Sequence, residues 1–254
     1  MPGQSRRGAA RAAPIYVELR IRTDLDRLWE LTQRPWLHQR WDARFSRIEY
    51  ADAAAEPVRF RYRLGLRRGP ALTGVGVTTA QRERADGSRV SALRFASDSG
   101  WSPLQEGAGY WRYLTADGGS GVTFVTGYDY RSWRWPGGAW CDRWVVRPLV
   151  GWLTAWSFDR LRLWAERGVT PERALGHGLA EVAARIGVAA LVGPAVGAGA
   201  VGLLTGFAVL VLSACVPPSA VTPAARRCRR RARRDSVGRA AARPPRLLNS
   251  LELP

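Results

Sequence analysis

The side chains best placed to hold or transform a ligand are aromatic and charged residues alternating along extended segments. In TGYDYR, Thr126, Tyr128 and Tyr130 share one face of a strand, while Asp129 and Arg131 share the other. In GYWRY, Tyr110 and Arg112 alternate with Trp111 and Tyr113. Trp41, Arg44, Tyr110, Tyr128, Tyr130, Trp152 and Trp156 are the expected walls of a cavity for a hydrophobic ligand. Glu106, Asp129, Arg131 and Asp159 are its polar candidates, able to orient a ligand, polarise a carbonyl or move a proton. Each aromatic is equally at home in a strand core, and each charge in an ordinary ion pair. A one-residue slip of register would exchange Tyr128 for Asp129.

Other chemistries find no support. The sequence has no nucleophile elbow and no P-loop, and the glycines of TGVGVT lie within a strand pattern with no helix after them. Cys141, Cys215 and Cys228 are far apart, and His38 and His177 sit in dissimilar segments, so neither a metal site nor a disulfide scaffold is expected. No cofactor is implied. Cys228, set among arginines, should have a depressed pKa; the plainer reading is an incidental thiol in a disordered tail.

The elements that must position these residues follow from periodicity. IYVELRIR alternates apolar Ile15, Val17, Leu19 and Ile21 with polar neighbours, as a half-buried strand does. Thr23 then caps a helix through DLDRLWELTQ, and Pro35 opens a second short one, PWLHQRW. Strand patterns recur at 46–51, 57–66, 71–82, 89–97, 104–115 and 120–132, with turn residues at 85–88 and 117–120. A long helix is expected from Ala139 to Arg167, stopped by Gly168 and broken or kinked near Pro148. Its stripe of Val145, Leu149, Trp152, Trp156 and Leu163 should face the sheet.

Ile15–Asp42 resembles the opening of the START-related helix-grip superfamily (SRPBCC), in its polyketide cyclase/dehydrase and lipid-transport branch. The residues that carry the likeness are the strand IYVELRI, the helix with LWELT and the Trp of HQRWD. The blocks SALRF, EGAGYWRY, TGYDYR and GWLTAWSFDRLRLW are similar to later parts of such proteins, so the resemblance covers residues 15–168. It implies an α+β helix-grip fold, a curved antiparallel sheet wrapped around a long C-terminal helix, with a cavity between them. It also implies two functions: binding of a hydrophobic small molecule or lipid, or a cyclase/dehydrase-like reaction on a hydrophobic substrate.

Composition then divides the 254-residue chain. Residues 1–14 are a basic, small-residue lead-in expected to be disordered, with no export signal. From Ile186 to Ala225 there is no charged residue, and about 20 apolar residues suffice to cross a bilayer. A transmembrane helix or hairpin is therefore expected over 174–216, the hairpin turning near Gly193-Pro194 with Glu181 and Arg185 paired or at the interface. Of the net charge of +18, all from arginine because lysine is absent, +8 lies in residues 221–254. Residues 217–254 read as an Arg-rich disordered tail suited to anionic lipid headgroups, with nothing that reads specific nucleic acid. Ten arginines are costly to translocate, so the tail and the globular domain are both expected on the cytoplasmic side of a membrane.

Overall fold

The computed structural model describes residues 13–52, 57–65, 71–78, 82–83, 87–115, 121–133, 135–245 and 248. Most of the expected lead-in and the turn at 117–120 lie outside the described residues, as does part of the turn at 85–88.

Strand β1 (Ile15–Ile21) is followed by helices α1 (Leu25–Gln33) and α2 (Pro35–Trp41). Then come β2 (Phe45–Asp52), β3 (Val58–Gly65), β4 (Ala71–Thr78), the short β5 (Arg82–Glu83), β6 (Arg89–Ser97), β7 (Glu106–Thr115) and β8 (Val122–Arg131). All pairings are antiparallel in the order β1-β8-β7-β6-β4-β3-β2, with β5 beside β6. The cap of α1 is Asp24, one residue later than expected, whose carboxylate accepts from the Arg27 amide at 2.6 Å.

Among the described residues, four cross-strand pairs set an aromatic ring against a glycine: Phe60 with Gly76, Tyr62 with Gly74, Phe95 with Gly107 and Tyr110 with Gly127. A β-carbon on Gly127 would lie 2.4 Å from the Tyr110 hydroxyl. The rings thus lie down over the neighbouring strand, which lets a strongly bent sheet carry large side chains. Gly127→Val should destabilise the protein by about 1–3 kcal/mol or more by overpacking, measurable as a lowered melting temperature.

After β8 a continuous helical segment crosses the concave face. It comprises α3 (Gly138–Cys141), a π-helical turn (Asp142–Val146) and α4 (Arg147–Arg167). Pro148 has no amide proton for the Trp144 carbonyl, and the wide turn just before it is where the expected break is absorbed. Gly168, at φ 66°, closes α4 in the left-handed conformation, with the Val169 amide on the Leu163 carbonyl.

The core forms where Val17, Leu19, Ile21, Trp111, Tyr113 and Phe124 meet Leu28, Leu31, Trp41 and the α4 residues Ala155, Phe158 and Leu161. Phe124 stacks on Phe158 at 4.5 Å. The face of α4 that meets the sheet is therefore not the expected stripe. Leu163 is buried, but Val145, Leu149 and Trp152 are 50%, 53% and 44% exposed. The small residues Gly151, Thr154 and Ala155 occupy the contact with Phe158 and Leu161 instead, and they let the helix approach a sheet already crowded with rings.

Two apolar helices follow, α5 (Pro171–Val196) and α6 (Gly199–Cys215), packed as a hairpin. Helix α5 is long and apolar enough to cross a membrane, and α6 is a shorter apolar helix. The turn falls at Gly197–Ala198 rather than at Gly193-Pro194. Pro194 sits in the last turn of α5, where it forfeits a single helical hydrogen bond. Gly193, Gly202 and Gly206 allow backbone contact between the two helices. Glu181 pairs with Arg185, and Arg185 also reaches the Ser213 and Val216 carbonyls at the end of α6.

The tail corrects the expectation of disorder. Residues 217–245 return to the domain, through a single turn (Ala225–Arg227) and helix α7 (Ser236–Ala242). Ala225 and Cys228 join the main core, and Arg229 exchanges two backbone hydrogen bonds with Glu18 of β1, both 2.9 Å. Arg227 pairs with buried Asp159 at 2.7 Å. The convex face carries Tyr16, Val77, Ala92, Tyr110 and Val125, and the tail covers them with Ala232, Ala242 and Leu248. Composition signalled solvation; the acceptors on the domain, which composition does not show, hold the segment down.

Candidate functional site

The concave face is divided. Over β1, β8 and β7 it is filled by α4 and α1; over β2, β3, β4 and β6 it is open. There an apolar cavity of about 430 Å³ lies between the sheet, the end of α1, α2 and the first turns of α4. Phe45, Ile48, Tyr50, Phe60, Tyr62 and Phe95 make its floor, and Val150 and Leu153 of α4 its roof. A volume of this size suits a small hydrophobic ligand or part of an acyl chain.

Three of the seven expected wall residues border the cavity: Arg44, Tyr110 and Tyr128. Tyr110 nonetheless points its ring to the convex side, where its hydroxyl donates to the Ala241 carbonyl at 3.1 Å. Its neighbour Trp111 lines the cavity, so the site takes the opposite face of GYWRY from the one expected. Trp41 is wholly buried in the core, its indole N–H on the Leu31 carbonyl. Tyr130 lies beyond the cavity, its hydroxyl on Asp142 at 2.7 Å. Trp152 is exposed on α4 and stacks on Trp156, which packs against the main core and does not line the cavity.

None of the four polar candidates lines this cavity. Glu106 and Arg131 pair across β7 and β8 on the convex side. Asp129 holds Arg147 at 2.9 Å, and Asp159 holds Arg162 and Arg227. These are structural ion pairs, and the alternation in TGYDYR does set Asp129 and Arg131 together on the convex face.

The polar group that does border the cavity is built from the α2–β2 corner. Asp42, fully buried, accepts from Arg44 Nε at 2.9 Å and Nη2 at 2.6 Å, and meets His38 Nε2 at 3.2 Å. The Arg44 guanidinium lies over the Tyr128 ring at 5.4 Å, and the Tyr128 hydroxyl shares a 2.8 Å hydrogen bond with Thr154 of α4. Burial would raise the Asp42 pKa, but the Arg44 charge and the hydrogen bonds from Arg44 and His38 hold it well below the usual carboxylate range. Burial lowers the His38 pKa, so its imidazole is neutral at pH 7. Burial raises that of Tyr128, which keeps its proton. The corner thus presents a fixed cation, a neutral imidazole and a phenol to a largely apolar space that also carries Gln33, Ser91 and Thr126. Arg44 was legible from the sequence; His38 and Asp42 were missed, although their i, i+4 spacing was the available signal.

Both shifts act in the same direction on stability. The folded pKa values of His38 and Asp42 lie below their unfolded values, so the unfolded chain binds more protons and stability rises with pH. The melting temperature should fall as pH drops below about 6.5, where unfolded histidine protonates, and again below about 4 for Asp42. His38→Gln should remove the first fall and leave the second, as read by thermal melts of the detergent-solubilised chain from about pH 8 down to about 3.

The architecture is the helix-grip arrangement that the resemblance implied, a curved antiparallel sheet around a long helix with a cavity between them. No family model matches the chain. Over 164 residues the chain is 43% identical to the uncharacterized membrane protein YndG of Bacillus subtilis (strain 168); the match covers 64% of this chain and 61% of that protein's length. Among solved structures, a protein of Thermus thermophilus is 17% identical, covering 64% of this chain and 97% of its own, with a TM-score of 0.44. A STAR-related lipid transfer protein fragment from Xanthomonas axonopodis is 15% identical over 58% of this chain and 82% of its own, also at 0.44. The Zhui aromatase/cyclase from Streptomyces sp. R1128 is 15% identical over 60% and 98%, at 0.40.

Proposed function

We propose that the protein binds a hydrophobic small molecule or lipid in the cavity under α4 and is tethered to a membrane by the α5–α6 hairpin. The observation that carries the first part is the apolar space itself, floored by rings and supplied with one polar corner at Arg44 and Tyr128. A ligand with a long apolar body and one anionic or carbonyl headgroup fits that distribution. The name of the Bacillus relative, a membrane protein, agrees with the second part.

The same arrangement supports a topology. Residues before and after the hairpin belong to one core, since Ala225 and Cys228 pack with Val17 and Phe158. The chain therefore enters and leaves the bilayer on one side, the cytoplasmic side by its arginines. Anionic headgroups remain the proposed partners of the tail through exposed Arg230, Arg231 and Arg234, while Arg227 and Arg229 are engaged by Asp159 and Glu18.

Native mass spectrometry of the full chain released from detergent tests the binding. Co-purifying lipid or an added fatty acid should be retained by the wild type. Filling the cavity with Leu153→Trp should weaken retention by about tenfold, the ~1.4 kcal/mol of one lost apolar contact surface, while the fold persists. Equal retention by both proteins would place the ligand elsewhere. Turnover of a ligand so identified, lost on Tyr128→Phe with binding kept, would favour the cyclase-like reading instead.

A further inference from the structure

We infer that the outward face of α4 and the π-helical turn before it docks on the lipid–water interface of the bilayer that the hairpin enters; this rests on the proposed membrane tether. Trp144, Val145, Leu149 and Trp152 are 61%, 50%, 53% and 44% exposed and stand on the side of the helix away from the sheet. Val145, Leu149 and Trp152 follow the i, i+4, i+7 spacing of a single helical stripe, which normally marks a buried face. Here these three stay exposed, and only Trp156, next on the stripe, is half-buried against the main core.

Three observations choose the occupant. First, the stripe leads to the foot of the hairpin: the Arg160 guanidinium lies over Trp156 at 5.0 Å and donates to the Pro171 carbonyl, at the first residue of α5, at 3.0 Å. Second, the segment from Gly138 to Arg167 shows no exposed carboxylate. Its acidic residues, Asp142, Asp159 and Glu166, have side chains 5%, 0% and 5% exposed and are each paired with arginine, whereas Arg143 is exposed. Such a face meets anionic lipid without repulsion. Third, tryptophan with an adjacent arginine is the pairing that suits the headgroup region, where an apolar body and a polar N–H are both satisfied. Val150 and Leu153, on the same turns, roof the cavity. A docked stripe therefore sets the cavity wall against the bilayer.

All twelve tryptophans precede Gly168 and the hairpin has none, so tryptophan emission reports on the domain alone. The full chain is reconstituted into vesicles of phosphatidylcholine and phosphatidylglycerol, with or without bromine on the acyl chains near the headgroups. Trp144 and Trp152 are two of twelve, so brominated lipid should quench about a sixth of the emission. In the double variant Trp144→Gln/Trp152→Gln most of that quenching should disappear while the protein still floats with the vesicles and melts unchanged. Wild-type protein that floats but is not quenched overturns the inference and leaves the tether standing. Quenching that persists in the double variant also overturns it, since another face then makes the contact. A stripe covered by a second copy of the chain would show as a cross-linked dimer without quenching, which overturns it too. Protein that fails to float overturns the tether and the inference with it.

Discussion

Asp42→Ala is expected to be the most damaging single substitution in the domain, costing about 3–5 kcal/mol, the usual result of stripping one partner from a buried charge pair. Asp42 has no exposed surface and holds Arg44 in two hydrogen bonds, with His38 on its second oxygen. Without it the guanidinium stays beneath Tyr128 with no anion to answer it. For a domain of this size the loss lowers the melting temperature by about 10 °C or more. Replacing the pair together, Asp42→Ala with Arg44→Met, should recover most of the loss, because two apolar side chains leave no buried charge. The double variant would also take away the fixed cation of Arg44 at the cavity wall. It should therefore separate stability from ligand choice: melting near the wild type, but weaker retention of anionic lipid in the mass spectrometer. A double variant as unstable as the single would show that packing, and not charge, governs this corner.

The second large effect is expected at Asp159→Ala. Its carboxylate takes the Arg162 Nε at 2.6 Å, the Arg227 guanidinium at 2.7 Å and the Ala224 amide at 2.8 Å, in a position with no exposure. Removing it leaves the Ala224 amide without its acceptor and Arg227 without a carboxylate, while Arg162 keeps Glu166, at a cost of about 3 kcal/mol. The visible consequence should be release of the tail, because Arg227 and Ala224 are its first anchors. Trypsin should then cut among residues 226–234 at least about tenfold faster than in the wild type, since cleavage follows the population of the opened form. Arg227→Met is the gentler companion: it frees the tail while Asp159 keeps Arg162, so proteolysis should rise with a smaller loss of stability. If neither variant is cut faster, the tail is held by its other contacts, the Arg229–Glu18 bridge and the Arg112 hydrogen bonds to the Ala240 and Arg243 carbonyls. Cys228 provides an independent reading. Burial pushes its thiol pKa up, opposite to the expectation from its arginine neighbours, and it donates to the Ala155 carbonyl. Maleimide should therefore reach it slowly in the wild type and quickly in Asp159→Ala.

The strands and helices of the domain were legible because their signals are local. Alternation marked Ile15–Ile21, and Gly168 marked the end of α4. What could not be read was which face of an element meets what. The stripe from Val145 to Trp152 has the spacing of a core face, yet the face that meets the sheet is the one carrying Gly151, Thr154, Ala155, Phe158 and Leu161. Tyr110 and Trp111 differ by one position, and their faces are settled by Gly127 on the next strand, which leaves room for the Tyr110 ring. His38 and Asp42 escaped notice because their partner Arg44 lies past the end of the helix that spaces them. The tail misled most plainly: its arginines imply solvation until Asp159 and Glu18 are found facing them.

The closure of β1 by Arg229 has a consequence for how the protein is made. Glu18 leaves the ribosome long before Arg229, and the hairpin lies between them. Joining the two closes a loop of about two hundred residues, which costs little more entropy than a loop of about fifty but cannot occur until Arg229 has been made. Until then the nascent domain waits with an unfilled place beside Ala155 and an uncovered outer sheet at Tyr110 and Val125. In the proposed topology the hairpin enters the membrane during that interval, and the globular half acquires its last core residues afterwards, from the segment that follows α6.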